Sequence, residues 1–376
     1  MFINKYSVIK FFKKDISDTD FYIKNYKNPK LIQTKKKNLI LIYAESLEDF
    51  FSKEEIFGED LLEDIKHINH NKISFTNFYQ RLGTSWTIAG IVSTQCGVPL
   101  NNFMYSQSNK FTEKVNQFMP NTSCLGDILK KEGYENIFMK SQDARFAGTR
   151  RFLETHGYNE ILDKSYWDKN YRIESDYDLF KYAKKKVLDL DKNNSPYNLT
   201  ILTYDMHIPS EIKKNKSAYS VICKKLNDEI YNDNIKCVSK IITDFINFLI
   251  SKNILENTSV VLIGDHLAMS MTPDLNEKYL PGNSQHYRTI FNYIFTKEVY
   301  KKNRDIMFHF DFLPTILYTL NFKFDENRYG LGASGFGNLS KEFNMHKIDD
   351  FENNNLNLLN NELDKFSRIY NSFWSK

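Results

Sequence analysis

Five continuous apolar runs constrain the fold of this chain more than any other feature. They lie within NLILIYAESLE (38–48), YENIFMKS (134–141), YNLTILTYDMH (197–207), SVVLIGDH (259–266) and TIFNYIFT (289–296). A run of this length without polar alternation is typical of a strand that is buried on both faces, as in a parallel sheet. The fourth run raises a chemical question as well, because its apolar residues stop at a glycine and are followed at once by Asp265 and His266.

Helix-like stretches separate these runs. TSCLGDILKKEGY begins with the cap-type residues Thr122 and Ser123 and stops near Gly133. DFLPTILYTL carries Pro314 near its start, where proline is tolerated. The segment 234–253 has an apolar stripe at helical spacing. Its members are Ile235, Val238, Ile242, Phe245 and Leu249. Strands that alternate with helices predict an α/β fold, with a mostly parallel central sheet and helices on both faces.

The charge of the chain is close to balanced. Its 376 residues include 51 basic and 47 acidic side chains, a net charge of +4, so a nucleic-acid partner has little support. The basic clusters at 10–14 and 35–37 are expected to be solvated surface, with attraction to an anionic membrane as the alternative. No apolar run reaches the roughly 18–20 residues of a spanning helix, and the N-terminus does not resemble a signal peptide. We therefore expect either a soluble protein or the soluble part of a membrane protein.

Three segments are distinguished along the chain. Residues 1–36 are polar and aromatic without clear periodicity, and we interpret them as a lead-in of the kind that follows a membrane helix. Residues 37–337 carry the alternating strands and helices and are predicted to form the catalytic domain. Residues 338–376 are interpreted as an asparagine-rich connection and an amphipathic helix that packs on the outside.

The cysteines do not form a recognisable cluster in the sequence. Cys96, Cys124, Cys223 and Cys237 lack CxxC spacing, so a zinc cluster is not expected. Because they are few and scattered, we expect buried thiols rather than a disulfide scaffold. Cys96 with Cys124 is the one pair singled out as a candidate disulfide.

Polar groups that could bind a metal follow three of the predicted strands. Glu45 follows LILIYA, His207 follows LTILTYDM, and Asp265 with His266 follows VVLIG. Binding sites of open α/β sheets lie at the carboxyl ends of the strands. A single acid or histidine there would be an ordinary strand-to-loop residue. Together, the carboxylates and imidazoles predict a site for Mn²⁺, Mg²⁺ or Zn²⁺.

A hydroxyl-rich turn provides a candidate nucleophile. RLGTSWTIAGIVSTQCGVPL (81–100) has a glycine, then Thr84, Ser85 and Thr87, and then a helix-like run. The first turn of a helix favours a phosphate or sulfate oxyanion, and a nearby divalent cation lowers the pKa of an alcohol. The alternative is that these hydroxyls only cap the helix.

An ordered set of motifs resembles one known family. The set comprises NLILIYAESLE, TSWTIAGIVSTQCGVPL, CLGDILKKEGY, FAGTRRFLETHGY, GDHLAM, FLPTIL and YGLGASGF, in this order between about residues 38 and 337. These motifs resemble the phosphoglycerol transferase I family, which decorates periplasmic glucans. That family is related to lipoteichoic acid synthase within the alkaline phosphatase and sulfatase superfamily. The resemblance implies the fold of that superfamily.

The resemblance also implies roles for particular residues. Glu45, Asp265 and His266 would be metal ligands. Thr87 would be both a ligand and the nucleophile that carries the covalent phosphoglycerol, with Thr84 as the alternative nucleophile. His207, in YDMHIPS, would face the substrate.

Two further regions depart from the pattern of the relatives or are ambiguous. Lipoteichoic acid synthases carry a histidine and an arginine in the region of MKSQDARFAGTRRF. Here Lys140 stands near the histidine position, and the basic residue is displaced to Arg150 or Arg151. These groups could bind phosphate. His286, in NSQHYRT, is either a substrate histidine or an ordinary loop residue.

The function implied by the resemblance is transfer of phosphoglycerol from a phospholipid-type donor to a sugar or glycan hydroxyl. One divalent ion would be needed, with Mn²⁺ favoured over Mg²⁺ or Zn²⁺. A phosphoethanolamine transferase and a phosphodiesterase are the alternatives within the superfamily, and a non-catalytic glycan-binding domain is the alternative of a different class. Sulfatase activity is disfavoured because TIAGI lacks the Cys or Ser of a C/S-x-P-x-R turn. The domain would face the periplasm close to the membrane, or be cytoplasmic if Met1 is the natural start. The oligomeric state stays open.

Overall fold

The computed structural model describes residues 26–81, 83–100, 109, 112–207, 223, 231–268, 288–339 and 373–374. The described strands are β1 (Ile32–Gln33), β2 (Asn38–Ala44), β3 (Lys72–Ile73), β4 (Asn77–Phe78), β5 (Glu135–Lys140), β6 (Glu160–Leu162), β7 (Tyr197–Leu202), β8 (Thr258–Gly264), β9 (Asn292–Phe295), β10 (Ile306–Met307), β11 (Phe322–Lys323), β12 (Arg328–Tyr329) and β13 (Gly332–Ala333). The helices are α1 (Glu54–Phe57), α2 (Glu63–Lys66), α3 (Thr87–Cys96), α4 (Leu125–Lys131), α5 (Thr149–Thr155), α6 (Lys164–Asn170), α7 (Asp176–Lys192), α8 (Tyr231–Ser251) and α9 (Phe312–Thr319).

Seven of these strands form the central sheet. Their order is β3-β9-β8-β2-β7-β5-β6. The strands β8, β2, β7, β5 and β6 run parallel to one another, whereas β9 runs antiparallel to both β8 and β3. All five predicted strands are therefore present, and the mostly parallel sheet is confirmed. The strands β3 and β6 are too short to give an apolar run, so the sequence did not indicate them.

Helices cover both faces of the sheet, as predicted. Every residue of β2 is buried, because side chains alternate between two apolar cores. Leu39, Leu41 and Tyr43 belong to the core that contains α3, α4, α5 and α9. Ile40 and Ile42 belong to the core that contains α7 and α8.

The predicted helices form with one correction. The apolar stripe of α8 is buried along its whole length, and Pro314 is the third residue of α9. The predicted caps of α4 are wrong, because Cys124 rather than Thr122 or Ser123 occupies the N-cap position. The Asp127 carboxylate accepts a hydrogen bond from the Cys124 N–H at 3.0 Å, and this acidic side chain stabilises the helix start.

The two ends of the chain contact the body of the fold. β1, inside the lead-in, pairs antiparallel with β11. Phe373 is buried, and the ring of Trp374 lies 4.9 Å from that of Phe118. The predicted outer helix of the tail falls mostly on residues 340–372, outside the described residues. No helix within the described ranges is long and apolar enough to cross a membrane.

All four cysteines are in disulfides, so the expectation of buried thiols is wrong. Cys96, at the end of α3, pairs with Cys124, at the N-cap of α4, and Cys223 pairs with Cys237. The singled-out pair is therefore correct. The second pair was not predicted, since separation along the sequence does not reveal which thiols meet in space.

Candidate metal centre and active site

The register of the central sheet brings two loop starts together. Ala44, the last residue of β2, is the partner of Gly264, the last residue of β8. Glu45 and Asp265 therefore leave the same edge of the sheet side by side. The His266 Nε2 atom lies 3.4 Å from Glu45 Oε1 and 3.5 Å from Asp265 Oδ2. The three side chains form one buried cluster.

Two motif glycines allow this close approach. A Cβ on Gly264 would lie 2.0 Å from the carbonyl oxygen of Leu47, and a Cβ on Gly90 would lie 2.0 Å from that of Asp265. Gly90 is the fourth residue of α3, so this helix packs directly against the loop that carries the predicted ligands. His309 holds the loop from another side, since its Nε2–H donates to the Asp265 carbonyl at 2.8 Å.

Thr87 is the first residue of α3 and extends its side chain into the cluster. Its hydroxyl donates to Glu45 Oε2 at 3.3 Å and lies 3.4 Å from His266 Nε2. Thr84 behaves differently. Its buried hydroxyl donates to the Arg81 carbonyl at 2.8 Å and accepts from the Arg81 N–H at 2.9 Å. The structure thus brings Thr87 to the carboxylates and uses Thr84 to close a turn.

The donor set fits a divalent cation. The His266 Nδ1–H donates to the Leu267 carbonyl at 2.8 Å, so the neutral imidazole would present its Nε2 lone pair to Glu45 and Asp265. Asp265 Oδ1 accepts N–H bonds from Ser46 and His266. Its other oxygen, Oδ2, is buried without a hydrogen-bond partner. A buried carboxylate oxygen normally has a partner, and a metal ion would supply one here.

The ionisation of the cluster reflects crowding of charge. Burial opposes the charge of Glu45, but the hydrogen bond and charge of His266 lower the pKa of Glu45 to about 2. Burial and the Glu45 charge raise the pKa of Asp265 to about 7. Burial disfavours the imidazolium, but Asp265 and Glu45 outweigh it and raise the pKa of His266 to about 10. The raised pKa of His266 shows that the two crowded carboxylates are stabilised by a nearby positive charge, which a bound cation would also supply.

The family model that matches this chain is Sulfatase, over residues 37–322. The chain belongs to the sulfatase family. The match covers the central sheet and both loops of the cluster, and it confirms the superfamily that the motifs predicted. Family membership concerns the fold and its shared site, and does not by itself name the substrate.

One curated relative and two solved structures are similar to this sulfatase-family chain. Phosphoglycerol transferase I of Escherichia fergusonii is 35% identical over 267 residues, which are 68% of this chain and 34% of the relative. The chain therefore spans about a third of the length of such curated relatives. Two solved structures share the fold. The lipoteichoic acid synthase LtaP of Listeria monocytogenes has a TM-score of 0.63 at 18% identity, and the match covers 88% of this chain and 80% of LtaP.

The other solved structure is the Streptococcus pyogenes phosphoglycerol transferase GacH in complex with sn-glycerol-1-phosphate. Its TM-score is 0.55 at 17% identity, with 93% of this chain and 88% of that chain covered. At these identities both structures support the fold of the sulfatase-family domain alone.

Lys140 and His207 both lie next to the ring of one tyrosine in this sulfatase-family domain. Lys140 ends β5 and is 5% exposed, and its Nζ lies 5.7 Å from the ring centre of Tyr204. The His207 ring stacks on Tyr204 at 5.2 Å and 18°. Burial lowers the pKa of Lys140, although the Glu45 and Asp265 charges oppose that shift. Lys140 forms no ion pair within the described part of the chain.

Arg150 and Arg151 have partners of their own. Arg150 Nη2 lies 2.8 Å from Asp163 Oδ1, and Arg151 Nη1 lies 3.2 Å from Glu154 Oε2. Arg151 is half exposed on α5. These ion pairs hold both guanidinium groups to the protein, so neither is presented as an unpaired phosphate-binding group. His286 lies outside the described residues.

A buried ion pair supports the cluster and was missed in the sequence. Glu48 pairs with Arg288, whose Nε lies 2.5 Å from Glu48 Oε2. Glu48 Oε1 also accepts the Ala268 N–H at 3.2 Å, and the Gln80 side chain accepts the Leu267 N–H at 2.7 Å. Both contacts fix the loop that follows Asp265. The available signal was a second acid three residues after Glu45, but its basic partner lies 240 residues away.

Proposed function

We propose that this chain is the catalytic domain of a metal-dependent phosphoglycerol transferase that acts through a covalent phosphothreonine intermediate on Thr87. The donor would be a phospholipid-type phosphoglycerol ester, and the acceptor would be a hydroxyl of a sugar or glycan. The observation that carries the proposal is the Thr87 hydroxyl at 3.3 Å from Glu45 and 3.4 Å from His266. The named activities of the relatives agree with it.

Glu45, Asp265 and His266, with the Thr87 oxygen, would hold one divalent ion, with Mn²⁺ favoured over Mg²⁺ or Zn²⁺. When bound, such an ion lowers the pKa of an alcohol and neutralises phosphoryl charge. The position of Thr87 in the first turn of α3 adds the positive end of the helix dipole. Both effects favour attack by an otherwise unreactive hydroxyl.

In the first step the Thr87 oxygen would bond to phosphorus while the bond from phosphorus to the lipid oxygen breaks. The proton lost by the threonine is matched by one gained by the leaving alcohol. In the second step an acceptor hydroxyl would attack phosphorus and release Thr87. The buried Lys140 ammonium is suited to bind phosphoryl oxygens, and His207, partly exposed beside it, is suited to protonate the leaving group.

The alternatives differ in the group transferred or in whether transfer occurs. A phosphoethanolamine transferase or a phosphodiesterase would use the same residues. A non-catalytic glycan-binding domain would have no need for a threonine within reach of the three ligand-type side chains.

Mass spectrometry separates these functions. We expect the protein, incubated with phosphatidylglycerol and Mn²⁺, to carry a phosphoglycerol adduct on Thr87, and chelation of the metal to prevent it. An adduct formed only from phosphatidylethanolamine would support the phosphoethanolamine transferase. Hydrolysis of the donor without transfer to any sugar would support the phosphodiesterase. Absence of metal binding and of any adduct would leave the binding domain.

The proposed location is the periplasm or the outer face of the membrane. The two disulfides support it, since structural disulfides persist in oxidising compartments. The membrane proximity of the domain and its lipid donor are part of the same proposal.

A further inference from the structure

A group of three tyrosines lies at the same edge of the sheet as the active site. Tyr166, Tyr171 and Tyr182 form this tyrosine cluster, with Tyr166 on α6 and Tyr182 on α7. The helix α6 begins directly after β6, which is parallel to β5. The carboxyl end of β6 therefore faces the same way as Lys140 at the end of β5. Three strand spacings separate β6 from β2, which places the cluster about 14 Å or more from Glu45.

A buried tryptophan joins the cluster to the active site. The Trp167 Nε1–H donates to the carbonyl of Lys140 at 2.7 Å. The Trp167 ring lies 5.0 Å from the ring of Tyr166 and 5.0 Å from that of Tyr182. The tyrosine cluster is thus continuous with the residue whose ammonium we place on the substrate phosphate.

Tyr171 presents an aromatic surface to water from a supported position. It is 50% exposed, and its ring stacks on Tyr166 at 6.4 Å and 30°. Tyr182 contacts it edge-on at 4.9 Å. An exposed ring that neighbouring rings hold in place offers a large contact area at low entropic cost, which is typical of a binding surface.

The charges around the tyrosine cluster are balanced, with eight acidic and eight basic side chains between residues 160 and 192. Lys164 lies 2.8 Å from Asp168, Arg172 lies 3.1 Å from Glu174, and Lys186 lies 2.6 Å from Glu160. An anionic ligand would need an excess of cations, which this balanced surface does not supply. A neutral sugar suits the surface better, because its C–H face packs on an aromatic ring while its hydroxyls bond to phenolic oxygens.

We propose that the tyrosine cluster is a subsite for a neutral glycan. It would hold the acceptor chain several sugar rings away from the hydroxyl that receives phosphoglycerol. This proposal rests on the proposed function for its biological meaning, but glycan binding at Tyr171 can be measured without any transfer.

The test uses Tyr171→Ala and neutral β-glucan oligosaccharides of increasing length. Calorimetry should show about ten-fold weaker binding of the longer oligosaccharides to the variant. Tyr171→Trp, which keeps a ring, should bind like the unmodified protein. Ile32→Ala, which removes a similarly exposed apolar side chain from β1, should also leave binding unchanged. Transfer to glycerol, a short acceptor, should be unaffected by Tyr171→Ala.

Three outcomes would overturn the subsite. These are equal glycan binding by Tyr171→Ala and the unmodified protein, no oligosaccharide binding by either, or Tyr171-dependent binding to vesicles of anionic lipid instead. The Thr87 adduct is read separately, so an adduct without glycan binding rejects the subsite alone. Glycan binding without an adduct rejects the proposed function alone.

Discussion

At the scale of single residues, two threonines three positions apart have opposite surroundings. Thr87 extends its hydroxyl to Glu45 and His266, whereas the Thr84 hydroxyl is consumed by two hydrogen bonds to the backbone of Arg81. Both lie in the same hydroxyl-rich turn, so composition could not separate them. The helix start at Thr87 does, because it directs that side chain to the sheet edge.

Substitution of each threonine should separate chemistry from stability. We expect Thr87→Ala to lower the rate of donor cleavage by about 10⁴-fold or more, while the free energy of unfolding changes little. Thr84→Ala should cost about 1–3 kcal/mol of stability, because the Arg81 N–H loses the Thr84 hydroxyl as its acceptor, while the rate stays near normal. Donor-cleavage rates and urea unfolding on both variants check this. The reverse pattern would assign the nucleophile to Thr84.

Substitution of Gly90 tests whether the close packing of α3 against the Asp265 loop positions the predicted metal ligands. In Gly90→Ala the new methyl would overlap the Asp265 carbonyl, so the helix or the loop must move. We expect Mn²⁺ affinity to fall by at least about ten-fold, since ligand geometry in such sites tolerates little displacement. Gly58→Ala is the control, because a Cβ there meets nothing within 4 Å and only its backbone conformation is strained. Unchanged metal affinity in Gly90→Ala would show that this close approach does not position the ligands.

At the scale of secondary structure elements, the candidate site depends on how strand ends and α3 are joined. The Glu48–Arg288 pair links the loop after β2 to a residue near the start of β9. The other end of α3 is also tied down. The Tyr43 hydroxyl of β2 bonds Thr94 at 2.5 Å, and the Tyr158 hydroxyl bonds Gln95 at 3.0 Å. These contacts fix the helix that carries Thr87 relative to the sheet.

Removal of one partner of the Glu48–Arg288 pair should be costly. Arg288→Met leaves Glu48 buried and uncompensated, for an expected loss of about 3–5 kcal/mol of stability. The double variant Glu48→Gln/Arg288→Met should recover part of that loss, because no buried charge remains. The matched control is Lys297→Met, which breaks an ion pair whose members are about 60% exposed and should change the stability little. Urea unfolding measures all three, and equal losses for Arg288→Met and Lys297→Met would contradict the argument.

At the scale of the whole molecule, one mostly parallel sheet brings distant segments together at the carboxyl ends of its parallel strands. Glu45, Lys140, Thr203 and Asp265 end or follow four neighbouring strands, and the Thr203 hydroxyl accepts the N–H of Glu45 at 2.8 Å. The Cys96–Cys124 disulfide then staples α3 to α4 on one face of that sheet. These contacts link the elements that carry the candidate site to one another.

The disulfide that joins α3 to α4 should contribute to global stability. Its half-cystines are 28 residues apart, so Cys96→Ser/Cys124→Ser should lower stability by about 2–4 kcal/mol through the greater entropy of the unfolded chain. The double variant avoids an unpaired thiol. Thermal unfolding measures the loss, and thiol labelling of protein taken from its native compartment reports the redox state. Free thiols at both positions there would contradict the proposed oxidising location.

The sequence predicted much of this fold and part of the candidate site. The apolar runs predicted all five long strands, and the rule that sites lie at strand ends selected Glu45, Asp265 and His266, which do meet in space. Arg150 and Arg151 were predicted to bind phosphate because of their position along the chain. In the structure their guanidinium groups form ion pairs with Asp163 and Glu154. The Glu48–Arg288 pair and the Cys223–Cys237 disulfide went unpredicted for one reason: each depends on a contact between residues with no periodic relation.

The sequence by itself determined which segments become buried strands and which residues stand where those strands end, because both depend on local hydrophobic pattern and on the geometry of parallel sheets. Only the tertiary structure decided that Thr87 rather than Thr84 meets the carboxylates, that Lys140 has no ion pair within the described residues, and which cysteines join. Those outcomes depend on distances between elements that are far apart in the sequence, and for Thr87 the distance is set by the packing of α3 against the Asp265 loop at Gly90.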